Sequence, residues 1–250
     1  MIAPASAHAD EAAKAAAALL RAYPAALERA AAGEIVTKSG VRIPIGTGHA
    51  TDPWPALLDQ ADVIDMFAKS YAAGKPSAAP RHNEDPGRAR SAALFNAMYG
   101  DCTKNETAAR IVPVQWLPKK RGGTIRVTSV NGVDRALAKV SKELDELPAS
   151  FDRFLLNPAG GYVCRPVAGS KRPSAHGWGI AVDIAAAPAN YWLWDGGRIR
   201  KEGAADIAYR NAVPYEIVEI LERHGFIWGG KWYHYDTMHF EYRPELLLRR

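Results

Sequence analysis

The chain has 250 residues, 48% of them hydrophobic and 24% charged, which is the composition of a globular protein large enough to bury a core without metal or disulfide staples. That composition excludes a disordered or fibrous chain, and no run approaches the roughly 20 apolar residues of a membrane span. The 32 Lys and Arg against 27 Asp and Glu give +5 and are scattered apart from Lys119-Lys120-Arg121 and Lys171-Arg172, which argues against a nucleic-acid-binding stripe and is compatible with an anionic polymer such as a bacterial wall.

The chain opens on MIAPASAHADEAAKAAAALL, where Ala7-His8-Ala9 has the small-x-small form of an export-signal cleavage site without the basic start and long apolar run that normally precede one. Two readings stand: the end of a trimmed export signal, or an ordinary Ala-rich tail. Residues 10–32 carry an Ala-rich helical pattern interrupted at Pro24, and residues 55–73 place apolar side chains at helix spacing after a Pro start. A polar loop, GKPSAAPRHNEDPGRARS, leads into ARSAALFNAMYG, a helix ended by Gly100. Residues 1–107 are therefore expected to be a mostly helical N-terminal extension whose role the sequence does not assign.

From about residue 110 the texture changes. ARIVPVQWL and TIRVTSV are short β-rich runs, and GVDRALAKVSKELDEL is an amphipathic helix opened by Asn131 or Asp134 and stopped by Pro148. GYVCRPV, GIAVDI and TMHFEY follow as short strands, with PYEIVEILERHG a helix that has Pro214 at its start and Gly225 past its end. This order predicts an α+β domain over residues 108–250, a small antiparallel sheet with flanking helices. The two cysteines, Cys102 and Cys164, would pair in an exported protein and be buried thiols in a cytosolic one.

SAHGWGIAVDI sets His176 and Asp183 seven residues apart, a spacing that sends side chains of one regular strand to opposite faces. Gly177 and Gly179 can break the alternation and re-aim the imidazole. Asp183, on a half-buried strand, then needs a cation. The second cluster is WYHYDTMHFEY, where His239 and Glu241 share a strand face and Asp236 lies just before the strand. Two histidines and a carboxylate as ligands, with another carboxylate beside them, is the donor set of a catalytic zinc site. The bland alternative is a satisfied core histidine and a surface aspartate.

SAHGWGIAVD resembles the Ser-x-His-x-x-Gly-x-Ala-x-Asp signature of the zinc D-alanyl-D-alanine carboxypeptidase and L-alanyl-D-glutamate endopeptidase family, and WGGKWYHYDTMHFEYRPEL is similar to that family's closing segment. The flanking GYVCRPVAGS and the gap between the motifs also fit, so the resemblance spans about residues 108–247. It implies that His176, Asp183 and His239 ligate Zn2+, that Asp236 is the general base, and that Arg165 polarises the scissile carbonyl; a surface salt bridge is the alternative for Arg165. Because some family members carry glutamate where this chain has Asp236, Glu241 is a rival base, although its spacing better suits a residue that orients His239. Ser174 belongs to the motif and is either a substrate contact or a turn serine. His234 is read as an exposed loop histidine, with a proton donor lining the cleft as the alternative, and His224 as a helix C-terminal residue favoured by the dipole. Most of Trp178, Trp192, Trp194, Trp228 and Trp232 are expected in the core, with one or two walling a groove.

The implied function is a zinc peptidase on peptidoglycan stem peptides, exported to the bacterial periplasm or envelope, with no nucleic acid as partner. Lys171 and Arg172 would suit the free terminal carboxylate of a carboxypeptidase substrate. The alternative from another class is an inactive zinc-containing module that binds wall or partner protein.

Overall fold

The computed structural model describes residues 5–194 and 207–248; the first four residues, at the start of the Ala-rich tail, lie outside them. The architecture is α+β, with small antiparallel sheets and short helices, as the order of patterns predicts. Helix α1 spans Ala5–Ala22, includes the Ala7-His8-Ala9 triplet and stops ahead of Pro24, which has no N–H to extend it.

The N-terminal region departs from the expectation of helix and loop. β1 (Leu27–Ala31), β2 (Glu34–Thr37) and β3 (Arg42–Pro44) form an antiparallel sheet in the order β1-β2-β3. The β1–β2 turn places Ala32 at φ 50 and Gly33 at φ 79, the two left-handed residues of a tight hairpin. The helix expected over 55–73 is shorter: α2 covers Trp54–Asp59, with a single 3-10 turn at Ile64–Phe67 beyond it. Asp62 and Asp65 explain the break, because their carboxylates accept from the backbone N–H groups of Gly48, His49 and Asp62, a competitor to the helical ladder.

Helix α3 (Ala92–Tyr99) ends at Gly100, whose φ of 91 is the left-handed stop expected there. β4 (Ile111–Gln115) and β5 (Thr124–Thr128) pair as a hairpin. α4 (Val133–Leu144) starts after Gly132 in a left-handed conformation, with no side-chain cap, so neither Asn131 nor Asp134 caps it. After the short α5 (Asp152–Leu155), β6 (Pro158–Gly160), β7 (Ala181–Ala185), β8 (Phe226–Trp228) and β9 (His239–Tyr242) build the sheet that matters for function, in the order β6-β7-β9-β8. α6 (Tyr215–Arg223) precedes β8, and α7 (Pro244–Leu247) follows β9.

GYVCRPV is not a strand. It runs as a loop with one isolated bridge, Pro166 to Pro173, since Pro166 offers no ladder N–H. A disulfide anchors it: Cys164 bonds Cys102 with Cα atoms 5.6 Å apart, which is the paired alternative of the two read from the sequence. One continuous buried cluster runs from Ala15, Leu19 and Tyr23 through Leu94 and Phe95 to Val182, Phe240 and Leu246, crossing the expected boundary at residue 107.

Candidate metal centre and its cleft

β7 and β9 are antiparallel with Asp183 directly opposite His239 and Ala181 opposite Glu241. Residues facing each other across such a ladder project to the same side, so this register brings a carboxylate and an imidazole together. Asp183 Oδ1 lies 2.8 Å from His239 Nδ1. His176 arrives from a 3-10 turn, Ala175–Trp178, closed by Gly179 at φ 70. The two glycines divide the work: Gly179 supplies the left-handed turn, whereas a Cβ on Gly177 would lie 3.0 Å from Cys102 Sγ, so that glycine gives the disulfide room. The ring centroids of His176 and His239 end 5.1 Å apart, and one donor atom from each of His176, Asp183 and His239 lies within 4.8 Å of the others.

Hydrogen bonding fixes which nitrogens face the centre. His176 Nδ1 is 2.6 Å from the Gly161 carbonyl, which can only accept, so that nitrogen carries the proton and Nε2 presents its lone pair. Buried Nε2 has no hydrogen-bond partner and sits 3.2 Å from Asp183 Oδ2. On His239, Nε2 is 2.9 Å from Glu241 Oε1. If it donates there, Nδ1 also turns a lone pair toward Asp183. Two imidazole lone pairs facing the two oxygens of one carboxylate demand a positive charge between them, and the set fits a divalent cation.

The electrostatics agree. Burial pushes the Asp183 carboxyl up, but the charges and hydrogen bonds of His176 and His239 outweigh it and hold the group well below the usual carboxylate range. Burial opposes protonation of His239, yet its bonds to Asp183 and Glu241 push it up to about 10 when no other cation is present. Asp236 is raised to about 7, chiefly by burial and further by the nearby Asp183 carboxylate. Its Oδ1 is buried without a partner.

These groups line a cleft of about 420 Å³ that also contains Arg165, Ser174, Met238, Arg88, Arg90 and Arg172. Residues 168–242 match the family model described as D-alanyl-D-alanine carboxypeptidase. The match, over fewer than a third of the residues, supports the resemblance drawn from the two motifs. No curated protein matches the chain.

The matched segment holds His176, Asp183, Asp236, His239 and Glu241, while Arg165 lies just before it. Arg165 is exposed at the cleft, and its backbone carbonyl accepts from Ser174 N at 3.2 Å. The Ser174 side chain accepts from His176 N at 3.4 Å, so this serine holds the turn that carries the histidine. Glu241 is fully buried, bound by Arg90 through Nε at 2.9 Å and also through Nη2, with Arg243 Nη1 3.5 Å away. Three of the tryptophans, Trp192, Trp194 and Trp232, line the cleft, whereas Trp178 and Trp228 pack in the core. Lys171 points elsewhere, and Arg172 lines the cleft while pairing with Asp59 at 2.7 Å.

His234 corrects the expectation of an exposed loop residue. It is buried in the cleft wall, with its N and Nδ1 at 2.9 and 2.7 Å from the two oxygens of Asp85. Asp85 also accepts from Trp54 Nε1 at 2.6 Å. His224 caps the end of α6 as expected, and there meets Glu143 at 2.5 Å. Asp85, Arg88 and Arg90 were invisible to motif reading because NEDPGRARS looks like any solvated loop. A second group, His49, Asp62 and Asp65, also brings donor atoms within 4.8 Å, but the Asp65 oxygens are already taken by His49 N, His49 Nδ1 and Asp62 N.

Proposed function

We propose that the protein is a zinc-dependent peptidase that hydrolyses an amide bond of peptidoglycan stem peptides, as a D,D-carboxypeptidase, in the bacterial periplasm or envelope. The observation that carries this reading is the convergence of His176 Nε2 and His239 Nδ1 on the two oxygens of Asp183, opening into a cleft beside the unpartnered carboxylate oxygen of Asp236. Zinc, when bound, supplies Lewis acidity toward a water and toward a carbonyl oxygen.

The chain's own residues account for the remainder. His176, Asp183 and His239 would hold the ion at the floor of the cleft. Asp236 takes the proton of the attacking water and delivers it to the leaving amine. Arg165, on the cleft rim, places a guanidinium where negative charge develops on the carbonyl oxygen. Glu241 receives the His239 Nε2 proton as a hydrogen bond and holds the ring, a role suited to a carboxylate clamped by Arg90 and unsuited to a base. Arg172 favours the carboxypeptidase, since it brings a cation to the cleft for the free terminal carboxylate. The Cys102–Cys164 disulfide favours an exported protein, because such bonds persist in oxidising compartments.

The test is incubation of the purified protein with defined muropeptides, with and without a chelator, followed by mass analysis. Metal-dependent loss of one terminal D-Ala is expected. Cleavage inside the stem would reassign it as an endopeptidase, and intact peptides under every condition would favour a non-catalytic binding module.

A further inference from the structure

The geometry points to Arg90, from the N-terminal region and outside the matched family segment, as the positioning residue that locks the metal ligand His239 through Glu241. This inference rests on the zinc-peptidase reading of the same site.

The chain of contacts is short and buried. Arg90 meets both Glu241 oxygens, Nε to Oε2 at 2.9 Å and Nη2 to Oε1, in a two-pronged contact between a 10% exposed guanidinium and a fully buried carboxylate. Glu241 Oε1 in turn faces His239 Nε2 at 2.9 Å. A planar fork engaging both oxygens fixes the plane of the carboxylate, which a point charge cannot do. Once that plane is fixed, Oε1 is held where it receives the Nε2–H, and the Nδ1 lone pair is directed at the Asp183 side of the ring.

Arg243 cannot substitute. Its Nη1 stands 3.5 Å from Glu241 Oε2 and donates to the Gly87 carbonyl at 2.8 Å, while its Nε is taken by Glu245 at 2.5 Å. Arg90 itself is set by its surroundings. It lies one residue ahead of Ser91, where α3 begins, and the preceding stretch is tied to the catalytic segment through Tyr233 N to the Glu84 carbonyl at 2.9 Å, His234 to Asp85, and Trp232 Nε1 to the Pro86 carbonyl at 2.8 Å. The N-terminal region thus reaches the metal centre through one guanidinium carried on a braced strap.

The experiment measures zinc affinity of the full-length protein by competition with a chromophoric chelator, for the wild type, Arg90→Ala, Arg90→Lys, Glu241→Gln and the Arg90→Ala/Glu241→Gln double variant. Loss of a partner that orients a histidine ligand typically weakens metal binding about 10–100-fold, and that is the expected result for Arg90→Ala. Arg90→Lys should recover only part of it. In the Glu241→Gln background, removing Arg90 should add little, because the two act in series. Folded Arg90 variants with wild-type zinc affinity would overturn the inference, as would losses that simply add in the double variant. If Arg90→Ala does not fold, Arg90→Lys decides alone. A wild-type protein that binds no zinc removes the zinc-peptidase reading and this inference together, whereas a zinc-binding wild type with indifferent Arg90 variants removes this inference only.

Discussion

Asp183 and His239 face each other across the β7–β9 ladder with Oδ1 2.8 Å from Nδ1, although 56 residues separate them in the chain. The register of one strand pair therefore builds two thirds of the ligand set. A slip by one residue would turn His239 to the other face of the sheet.

His176 completes the set from a turn instead of the ladder, so its removal should leave the sheet intact. His176→Ala is expected to fold and to lose most of its zinc in elemental analysis of the purified protein. Full occupancy in that variant would exclude His176 as a ligand.

Asp236→Asn keeps shape and removes proton-accepting power. Zinc content should be retained while turnover on muropeptides falls by about 10²–10⁴-fold, the usual contribution of a positioned base. Wild-type turnover would move the base to another group, and Glu241 is a poor heir because Arg90 already claims both its oxygens.

Asp85 should make stability depend on acid. Burial pushes its carboxyl up, but His234 and Arg88 outweigh that and lower it from the usual 3.8 to about 2. A folded-state value below the unfolded one stabilises above about pH 4 and is lost as pH falls through about 2, with about 2 kcal/mol at stake. In urea unfolding, the advantage of wild type over Asp85→Asn should shrink between about pH 5 and pH 2. A constant difference would show that the carboxylate's charge contributes nothing.

Breaking the disulfide should destabilise the folded state. With a sequence separation of 62 between Cys102 and Cys164, loop-closure entropy alone is worth about 4 kcal/mol. Cys102→Ser/Cys164→Ser is expected to unfold at clearly lower temperature in calorimetry, and wild type with reductant should behave the same way. An unchanged transition would mean the loop is held by its other contacts, such as Val163 N to the His176 carbonyl.

The meeting of His176, Asp183 and His239 was legible because its chemistry is local: glycines beside His176, alternation around His239, and residue types that have few reasons to cluster. Strands β4 and β5, helices α3, α4 and α6, and the strands that carry Asp183 and His239 were readable from periodicity and stop signals. What stayed hidden depended on distant partners. Leu27–Ala31 reads LERAA, with little strand preference of its own, and becomes a strand because EIVT pairs with it. His234 looked exposed because its aspartate lies 149 residues away. Arg90 carries no motif, and its meaning comes wholly from Glu241.

The strap formed by residues 84–90 has a practical implication for anyone trimming this protein. A fragment cut to the recognisable signature would inherit a dehydrated Glu241 stripped of its principal counter-charge, and an indole and an imidazole, at 232 and 234, with no acceptor waiting for them. Such a minimal fragment would be expected to precipitate, however complete its signature looks on paper.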